Sequence, residues 1–65
     1  MAAVKPVAKA ANRGDSIAQY NLAYMYENGE GIEKDIDQAI YWYKKAAEQG
    51  DKEAQKELKK ILRIK

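Results

Sequence analysis

Four carboxylates lie close together near the middle of the chain, and carboxylate groups can bind a metal ion. They are Glu30, Glu33, Asp35 and Asp37. Their spacing lacks the alternating acidic pattern and central glycine of a calcium loop, and Asp35 is better explained as a helix cap. The adjoining Gly29-Glu30-Gly31 lacks the lysine and the preceding strand of a phosphate-binding loop. We therefore predict that the chain has no metal site and no cofactor site.

Composition and size argue against catalysis. The chain of 65 residues contains no His and no Cys, which removes the commonest general base and any thiolate chemistry. A single domain of this length buries only about 60% of the surface that its unfolded chain exposes, so its core is thin. A catalytic carboxylate pair would need a cleft that such thin layers hardly provide. We predict a protein that is not an enzyme and has no catalytic residue.

A set of aromatic and amide side chains at helical spacing suits protein recognition instead. Two tyrosines and an asparagine lie four residues apart with a second asparagine beside them, and two lysines follow the tyrosines by 36 residues. Such aromatic and amide groups could hold an extended or helical peptide. The predicted protein-binding residues are Tyr20, Asn21, Tyr24, Asn28, Lys56 and Lys60.

The two lysines would add positive charge to the aromatic contacts. The expected ligand is therefore a short peptide with an apolar anchor and an acidic residue, bound with micromolar or weaker affinity. The alternative is that the two tyrosines merely cover the flanking helices of a small core. The Tyr41-Trp42-Tyr43 cluster is assigned to packing.

The elements that must position these residues are helices. Ala, Lys, Glu, Gln and Leu dominate, and Pro6 is the only proline, which predicts an all-α fold. Four helices are expected: one within residues 1–13 that is firm from about Pro6, one at 16–28, one after residue 35 that ends at Gly50, and one from 51 towards the end. Short connections between them predict antiparallel neighbours.

Helix boundaries are marked by aspartates and glycines. Asp15, Asp35 and Asp51 each suit an N-cap position, and Gly14 suits a C′ position with positive φ. Asp35 and Gln38 form a D-x-x-Q capping box in which the Gln38 side chain would reach back to the cap. Ile32 is expected to anchor the loop.

Apolar residues at helical spacing identify the buried faces. On the second helix they are Ala18, Leu22, Met25 and Tyr26; on the third, Ile36, Ala39, Ile40, Tyr43, Ala46 and Ala47; on the fourth, Ala54, Leu58, Ile61 and Leu62.

The sequence matches itself at a shift of 36 residues. Lys9-Ala10-Ala11 falls on Lys45-Ala46-Ala47, Gly14-Asp15 on Gly50-Asp51, Ala18-Gln19 on Ala54-Gln55 and Leu22 on Leu58. A period of this length is the signature of a helical solenoid, in which each unit buries its apolar face against the next.

Some positions become charged in the last copy of the repeat. Ala23 becomes Lys59, and the residues Ile17, Tyr20, Asn21 and Tyr24 become Glu53, Lys56, Glu57 and Lys60. We expect these to be positions that lose cover where the array ends. The fourth helix would then be a polar capping helix.

These motifs resemble the Sel1-like repeat family, which is related to the tetratricopeptide repeats. The matching residues are Ala18, Gln19, Leu22, Tyr26, Gly29, Gly31, Asp35, Ala39, Trp42, Tyr43, Lys45, Ala46, Ala47 and Gly50. Ala23 and Ile32 depart mildly from the family's Gly and Val. The resemblance implies a right-handed stack of αα-hairpins with an adaptor or scaffold role and no shared catalytic residue.

The expected organisation is a single domain over 1–65, with a half-repeat helix at 1–13, a full repeat at 15–50 and a capping helix at 51–65. The leading hypothesis is a protein-interaction module. The alternative is a structural mini-domain, trimmed or designed, with no ligand. If the chain is complete, the lack of a signal peptide or long apolar run predicts a soluble, cytoplasmic protein.

A third hypothesis concerns the basic end of the chain. Residues 52–65 carry six cations and two carboxylates, a local charge of +4 within a total of +2. Nucleic-acid binding is the sharper explanation, but cations near a helix C-terminus also stabilise it, and we favour that explanation. The expected partner is thus a protein or peptide, with no nucleic acid and no membrane. Weak self-association is also expected, through Val4, Val7 and Ala8, with Tyr20 and Tyr24 adding to that face.

Overall fold

The computed structural model describes residues 4–64, which form four helices and no strand. The helices are α1 (Val4–Asn12), α2 (Ser16–Asn28), α3 (Ile36–Glu48) and α4 (Lys52–Ile64). The all-α prediction is confirmed; the start of the predicted first helix, residues 1–3, and Lys65 lie outside the described residues. Each helix packs against the next along the chain, and α2 and α3 share the most extensive contact. None of these four helices is long and apolar enough to cross a membrane.

Aspartate caps begin three of the helices, as predicted. The Asp15 Oδ1 accepts hydrogen bonds from the backbone N–H groups of Ile17 and Ala18, at 3.0 and 3.2 Å. The Asp51 Oδ1 accepts from the Ala54 N–H at 3.1 Å. These bonds satisfy N–H groups that have no partner within their own helix, so the caps fix where α2 and α4 begin.

The cap of α3 differs from the prediction in one of the two hydrogen bonds of the capping box. The Asp35 Oδ1 accepts from the Gln38 N–H at 3.2 Å, as expected. The Asp35 N–H, however, donates to the Tyr26 carbonyl at 2.9 Å, so the predicted return bond from the Gln38 side chain is wrong. The loop folds back on the last turns of α2, and the backbone there supplies the acceptor. This bond ties the start of α3 to the end of α2.

Gly29 makes this fold-back possible. It adopts a left-handed conformation with φ 70° and ψ 35°, and the N–H groups of Gly29 and Glu30 both donate to the Met25 carbonyl. A Cβ at this position would lie 3.2 Å from the Lys34 Cβ. A glycine is therefore required both by the backbone conformation and by the close return of the loop.

The turns that precede α2 and α4 have the same geometry at a shift of 36 residues. The Asp15 N–H donates to the Ala10 carbonyl at 3.1 Å, and the Asp51 N–H donates to the Ala46 carbonyl at 3.2 Å. The glycines before these aspartates have φ of 99° and 94°. The internal repeat of the sequence is thus a repeat of backbone geometry.

Glutamine side chains reproduce this repeat. The Gln19 Nε2 donates to the Ala11 carbonyl at 3.1 Å, and the Gln55 Nε2 donates to the Ala47 carbonyl at 3.1 Å. Each bond holds the first turn of one helix against the last turn of the helix before it. Gln19 is buried and Gln55 is exposed, so the same bond has two different environments.

Gln49 connects the two turns. Its Nε2 donates both to the Gly14 carbonyl and to the Gln19 Oε1, each at 2.9 Å. The end of α3 is therefore bonded to the turn between α1 and α2. Because Gln19 is only 4% exposed, these bonds satisfy a polar group that would otherwise be costly to bury.

Small residues dominate the core, which allows the helices to approach closely. Six of its members are alanines, and Tyr43 is the largest side chain that is fully buried. The buried apolar residues are Ala11, Ala18, Leu22, Ala23, Ala39, Trp42, Tyr43, Ala46, Ala54 and Ile61. The predicted apolar faces of α2 and α3 are directed to this core, with their outer members half-buried. Met25 is the exception, since it is half-buried but is not among the residues that pack against the core. Ile32 is half-buried in its loop and does not join the core.

Leu62 was predicted to be buried, and this is wrong because its side chain is 53% exposed. Its equivalent one repeat earlier, Tyr26, is half-buried and packs against the core. In the described part of the chain no helix follows α4, so nothing provides the same cover for Leu62.

The prediction about positions that lose cover is right for two positions and wrong for others. Tyr20 is half-buried while its equivalent Lys56 is exposed. Ala23 is fully buried while its equivalent Lys59 is exposed, as expected. Ile17 and Tyr24, however, are 69% and 46% exposed in the full repeat. Loss of cover therefore does not explain the charges at their equivalents, because these positions face outward in both copies.

The cap of α3 provides a first test. Asp35→Ala should lower the free energy of unfolding by roughly 0.5–2 kcal/mol, because the Gln38 N–H loses its acceptor. Urea unfolding followed by circular dichroism measures this. Glu33→Ala, an exposed loop carboxylate, is the control for loss of charge. Equal effects of both variants would show that the cap does not stabilise α3.

The glutamine bonds provide a second test with an internal control. Gln19→Met should cost about 1–3 kcal/mol, because the buried Ala11 carbonyl and the Gln49 amide both lose a partner. Gln55→Met removes the equivalent bond at an exposed site and should cost less. Chemical unfolding of both variants compares them, and an equal cost would contradict the role given to burial.

Candidate protein-interaction surface

One face of α2 remains exposed after the helices have packed. It consists of Ile17, Asn21, Tyr24 and Asn28, at i, i+4, i+7 and i+11, and is called the α2 stripe below. All four are exposed, and Ile17 and Tyr24 are among the most exposed large apolar residues of the described chain. Three of the six predicted binding residues lie in this stripe.

The packing of α2 explains why the stripe faces outward. The helix contacts both α1 and α3, and its buried residues Ala18, Leu22 and Ala23 account for those two contacts. The stripe occupies the remaining side. Its last residue is less available than the others, because the Asn28 Nδ2 donates to the Tyr24 carbonyl at 3.0 Å. The Asn28 side chain thus closes the final turn of its own helix.

Tyr20 lies beside the stripe but belongs partly to the core. It is half-buried, and its ring meets the Tyr43 ring edge-on with 5.5 Å between centroids and 63° between planes. The Tyr43 hydroxyl in turn donates to the Glu27 Oε1 at 2.8 Å. The alternative that the tyrosines cover the core therefore describes Tyr20 well, whereas Tyr24 is a surface residue.

The electrostatic surroundings of the two packed tyrosines are negative. Burial raises the pKa of Tyr20, and the charges of Glu57, Glu53 and Asp51 raise it further. Burial also raises the pKa of Tyr43, and the hydrogen bond to Glu27 adds to this effect. Carboxylates of α4, together with its cap, thus act on the aromatic contact between Tyr20 of α2 and Tyr43 of α3.

The two predicted lysines lie elsewhere on α4. Both are exposed and border a depression of about 450 Å³ whose lining belongs entirely to that helix. The lining residues are Glu53, Lys56, Glu57, Lys59, Lys60 and Arg63. One helix cannot enclose a ligand, so this is a shallow solvated surface.

Lys56 and Lys60 share this depression with Glu53 and Glu57, so cations and carboxylates lie side by side on this face of α4. Lys56 is the repeat equivalent of Tyr20, and Lys60 is that of Tyr24. The structure therefore does not separate the predicted lysines from the carboxylates that raise the pKa of Tyr20.

Sequence reasoning missed Ile17 as a surface candidate. It was grouped with positions that become charged in the last repeat, although its spacing to Asn21 and Tyr24 places it on the same face. The assignment of Trp42 and Tyr43 to the core is confirmed. Tyr41 differs, since it is 49% exposed, meets Trp42 edge-on at 5.0 Å and has the Lys45 Nζ 5.4 Å from its ring centroid.

The central carboxylates do not converge on one point. Within residues 4–64, no group of three or more acidic, His or Cys residues is arranged to hold a metal ion. Asp35 uses its side chain as the cap of α3.

Comparison with known families gives a match over most of the chain. The model described as Sel1 repeat matches residues 16–51, which include α2, the following loop and α3. No solved structure shows a significant match.

Several known proteins are similar in sequence. The chain is 51% identical over 43 residues to a sel1-like repeat-containing protein of Acanthamoeba polyphaga mimivirus, covering 66% of this chain and 7% of that protein. It is 46% identical over 46 residues to chitin synthase regulator SKT5 of Saccharomyces cerevisiae, covering 71% and 7%. It is 34% identical over 62 residues to DAP3-binding cell death enhancer 1 of Rattus norvegicus, covering 95% and 12%. The chain thus spans a small part of the length of these relatives.

The buried tyrosine predicts alkaline destabilisation. In the unfolded chain Tyr43 loses its proton near pH 10, whereas in the folded chain its pKa is higher. Its contribution to stability is therefore complete below pH 10 and falls as pH rises above that value. Tyr43→Phe should flatten this decline, and should cost about 0.5–1.5 kcal/mol at neutral pH through the lost bond to Glu27.

Urea unfolding between pH 8 and about pH 11 tests this expectation. Tyr20→Phe is the comparison variant, and its flattening should be smaller because Tyr20 is only half-buried. Parallel stability profiles for the native chain and Tyr43→Phe would contradict the assignment.

Proposed function

Because this chain belongs to the Sel1 repeat family, we propose that it is a non-enzymatic adaptor that binds a partner protein through the α2 stripe. Sel1 repeats are generally protein–protein interaction modules. The names of two relatives, a chitin synthase regulator and a DAP3-binding protein, describe regulatory or binding proteins. The observation that carries the proposal is the exposed apolar surface of Ile17 and Tyr24 on a helix whose other faces are packed.

The composition of the stripe suits recognition. Tyr24 offers a large amphipathic ring at low entropic cost, which makes tyrosine common among residues that dominate binding energy. Ile17 lies two turns earlier on the same face and offers an aliphatic contact. Asn21, between them, supplies donor and acceptor groups for a peptide backbone. Two apolar contacts with a polar group between them match the side-chain spacing of a short helical or extended segment.

The other predicted residues have lesser roles in this proposal. Tyr20 lies beside the stripe as part of the packing between α2 and α3, since its ring is held against Tyr43. Asn28 borders the stripe while bonded to its own helix. Lys56 and Lys60 form an outer rim on α4.

The expected affinity is weak. The Cα trace extends only 32 × 23 × 14 Å, and one helix face offers far less area than the roughly 800 Å² per partner of a standard interface. We therefore expect dissociation constants in the micromolar range or above.

The alternative is a structural mini-domain with no ligand. It is favoured by the packing of Tyr20 into the core and by the internal bond of Asn28. Weak self-association remains a prediction, although Val7 and Ala8 already pack against the core of their own chain and so offer less surface than expected.

A peptide-library screen with matched variants tests the proposed function. Tyr24→Ala should weaken selected peptides by roughly 5- to 30-fold, the equivalent of 1–2 kcal/mol for a central contact. Ile17→Ser should also weaken them. Both sites are exposed, so stability should change by no more than about 0.5 kcal/mol.

Two similarly exposed residues provide the controls. Tyr41→Ala removes a tyrosine from α3 and Leu62→Ser an aliphatic side chain from α4, and both should leave binding unchanged. Circular dichroism verifies the folding of each variant. Equal binding by Tyr24→Ala and the native chain would remove the α2 stripe from consideration, and a screen without binders would favour the mini-domain.

A further inference from the structure

The Asn28-Gly29 dipeptide at the end of α2 has the composition of a site of spontaneous chemical modification. An asparagine side chain can react with the backbone nitrogen of the residue that follows it, and a side chain on that residue hinders the reaction. The other two asparagines, Asn12 and Asn21, precede an arginine and a leucine. Asn28 is exposed and lies in the last turn of its helix, and helix ends open more readily than the core.

Two hydrogen bonds keep the reacting groups of this dipeptide occupied in the folded chain. The Asn28 Nδ2 donates to the Tyr24 carbonyl at 3.0 Å, so the side-chain amide is bonded one turn back along the helix. The Gly29 N–H donates to the Met25 carbonyl at 2.7 Å, so the backbone nitrogen is bonded as well. The Asn28 Cγ and the Gly29 nitrogen can therefore react only after this turn has opened.

The loop that follows α2 holds the last turn closed. The Glu30 N–H shares the Met25 carbonyl with Gly29, and the Asp35 N–H donates to the Tyr26 carbonyl at 2.9 Å. Lys34 returns so close that a Cβ on Gly29 would lie 3.2 Å from the Lys34 Cβ. Opening of the turn thus requires the loop to move as well.

We propose that Asn28 is a self-modification site that the last turn of α2 protects, and that it is converted to aspartate or isoaspartate when this turn opens. The Gly29 nitrogen attacks the Asn28 Cγ, and a new C–N bond forms. The bond from Cγ to Nδ2 breaks, and the side-chain amine takes the backbone proton and leaves as ammonia. The product at this stage is a cyclic imide.

Water completes the conversion without any other reactant. It cleaves one of the two C–N bonds of the imide, adds its hydroxyl to the carbonyl carbon and returns a proton to the nitrogen. Cleavage at Cγ gives aspartate. Cleavage at the backbone carbonyl gives isoaspartate, in which the main chain runs through the former side-chain carbons.

Either product weakens the turn that protected the site. A carboxylate at residue 28 cannot donate to the Tyr24 carbonyl, and it lies at the negative end of the helix dipole. Isoaspartate lengthens the main chain before Gly29 and so displaces the N–H that bonds Met25. The conversion also puts a negative charge at the end of the α2 stripe, but the chemistry does not depend on whether that stripe binds a partner.

Conversion of the full chain can be followed by peptide mapping with mass spectrometry. The chain is incubated in a mildly alkaline buffer, with and without enough guanidinium chloride to unfold it. Asn28 should convert in the unfolded chain and at least about tenfold more slowly in the folded chain, which corresponds to an opening free energy of about 1.4 kcal/mol or more. Asn28→Gln is the control, since its longer side chain would have to close a larger ring and should stay unmodified.

Two matched cap variants test whether the last turn of α2 controls the reaction. Asp35→Ala removes the cap directly after the loop that covers Gly29, and Asp51→Ala removes the equivalent cap from α4. Without denaturant, Asp35→Ala should convert roughly two- to thirtyfold faster than the native chain, the ratio expected for a lost cap. Asp51→Ala should convert at the native rate.

The other outcomes would overturn the proposal. Equal rates in the folded and unfolded chains would show that the turn gives no protection. An unfolded chain that stays unmodified, or that converts at Asn12 or Asn21 as fast as at Asn28, would show that the dipeptide is not the site. Equal rates in the two cap variants would remove the last turn of α2 as the element that controls the reaction.

Discussion

The buried hydroxyl of Tyr43 constrains how α2 lies against α3. A phenol removed from water needs a hydrogen-bond partner, and Glu27 provides it at 2.8 Å. The ring of Tyr43 also meets Tyr20 edge-on, so two residues of α2, seven positions apart, must lie on the flank next to α3. Rotation of α2 would break the bond to Glu27 or expose the ring.

The surface follows from this constraint. With Tyr20 and Glu27 held on one flank, and the buried alanine and leucine side chains on the packed faces, the remaining side of α2 is the stripe that begins at Ile17. The same contact places Tyr20 where the carboxylates of α4 reach it. A single buried polar group therefore helps to determine which side of α2 faces outward.

A different set of bonds fixes how the hairpins stack. Alanines at the helix contacts allow close approach but give little directional preference. The buried Gln19 supplies direction, since it bonds the carbonyl of Ala11 and accepts from Gln49. Packing of Tyr43 thus orients the two helices within the full repeat, and the glutamines orient that repeat against its neighbours.

Local features of the fold could be predicted from the sequence. Helix boundaries followed from aspartates and glycines because an N-cap and a left-handed glycine depend on a few adjacent residues. The errors concern contacts that are distant in sequence. The Asp35 N–H finds its acceptor at Tyr26, nine residues earlier, and spacing alone does not show that the loop returns so far. Leu62 has the correct helical phase for burial but lacks a helix to cover it.

The candidate surface was only partly predictable for the same reason. Spacing places Tyr24 and Asn21 on one face, but it does not show that Tyr20 packs against Tyr43 or that Ile17 is exposed. The carboxylates that act on Tyr20 could not be predicted either, because Glu53 and Glu57 lie far along the sequence in α4, and only the stacking of the helices brings their charges close enough to raise the pKa of Tyr20.

Comparison of the two repeat copies separates residues that maintain geometry from residues that can set specificity. Positions that form turns and interhelical bonds keep their identity across 36 residues, as Gly14, Asp15 and Gln19 do in Gly50, Asp51 and Gln55. Their chemistry is fixed because a cap, a positive φ and an amide bonded to the preceding helix each tolerate few side chains. The stripe positions change from Ile, Asn and Tyr to Glu, Glu and Lys.

The packing restricts these positions little, since they are exposed in both copies except for Glu57, which is half-buried. A substitution there changes the surface without disturbing the stack. Successive repeats can therefore present unrelated chemistry on one side of the stack, and under the proposed function a ligand that spans two of them would be selected by the combination rather than by either helix alone. Weak contacts on neighbouring repeats would then act together through high effective concentration, which allows a strong interaction to arise from units that each bind weakly.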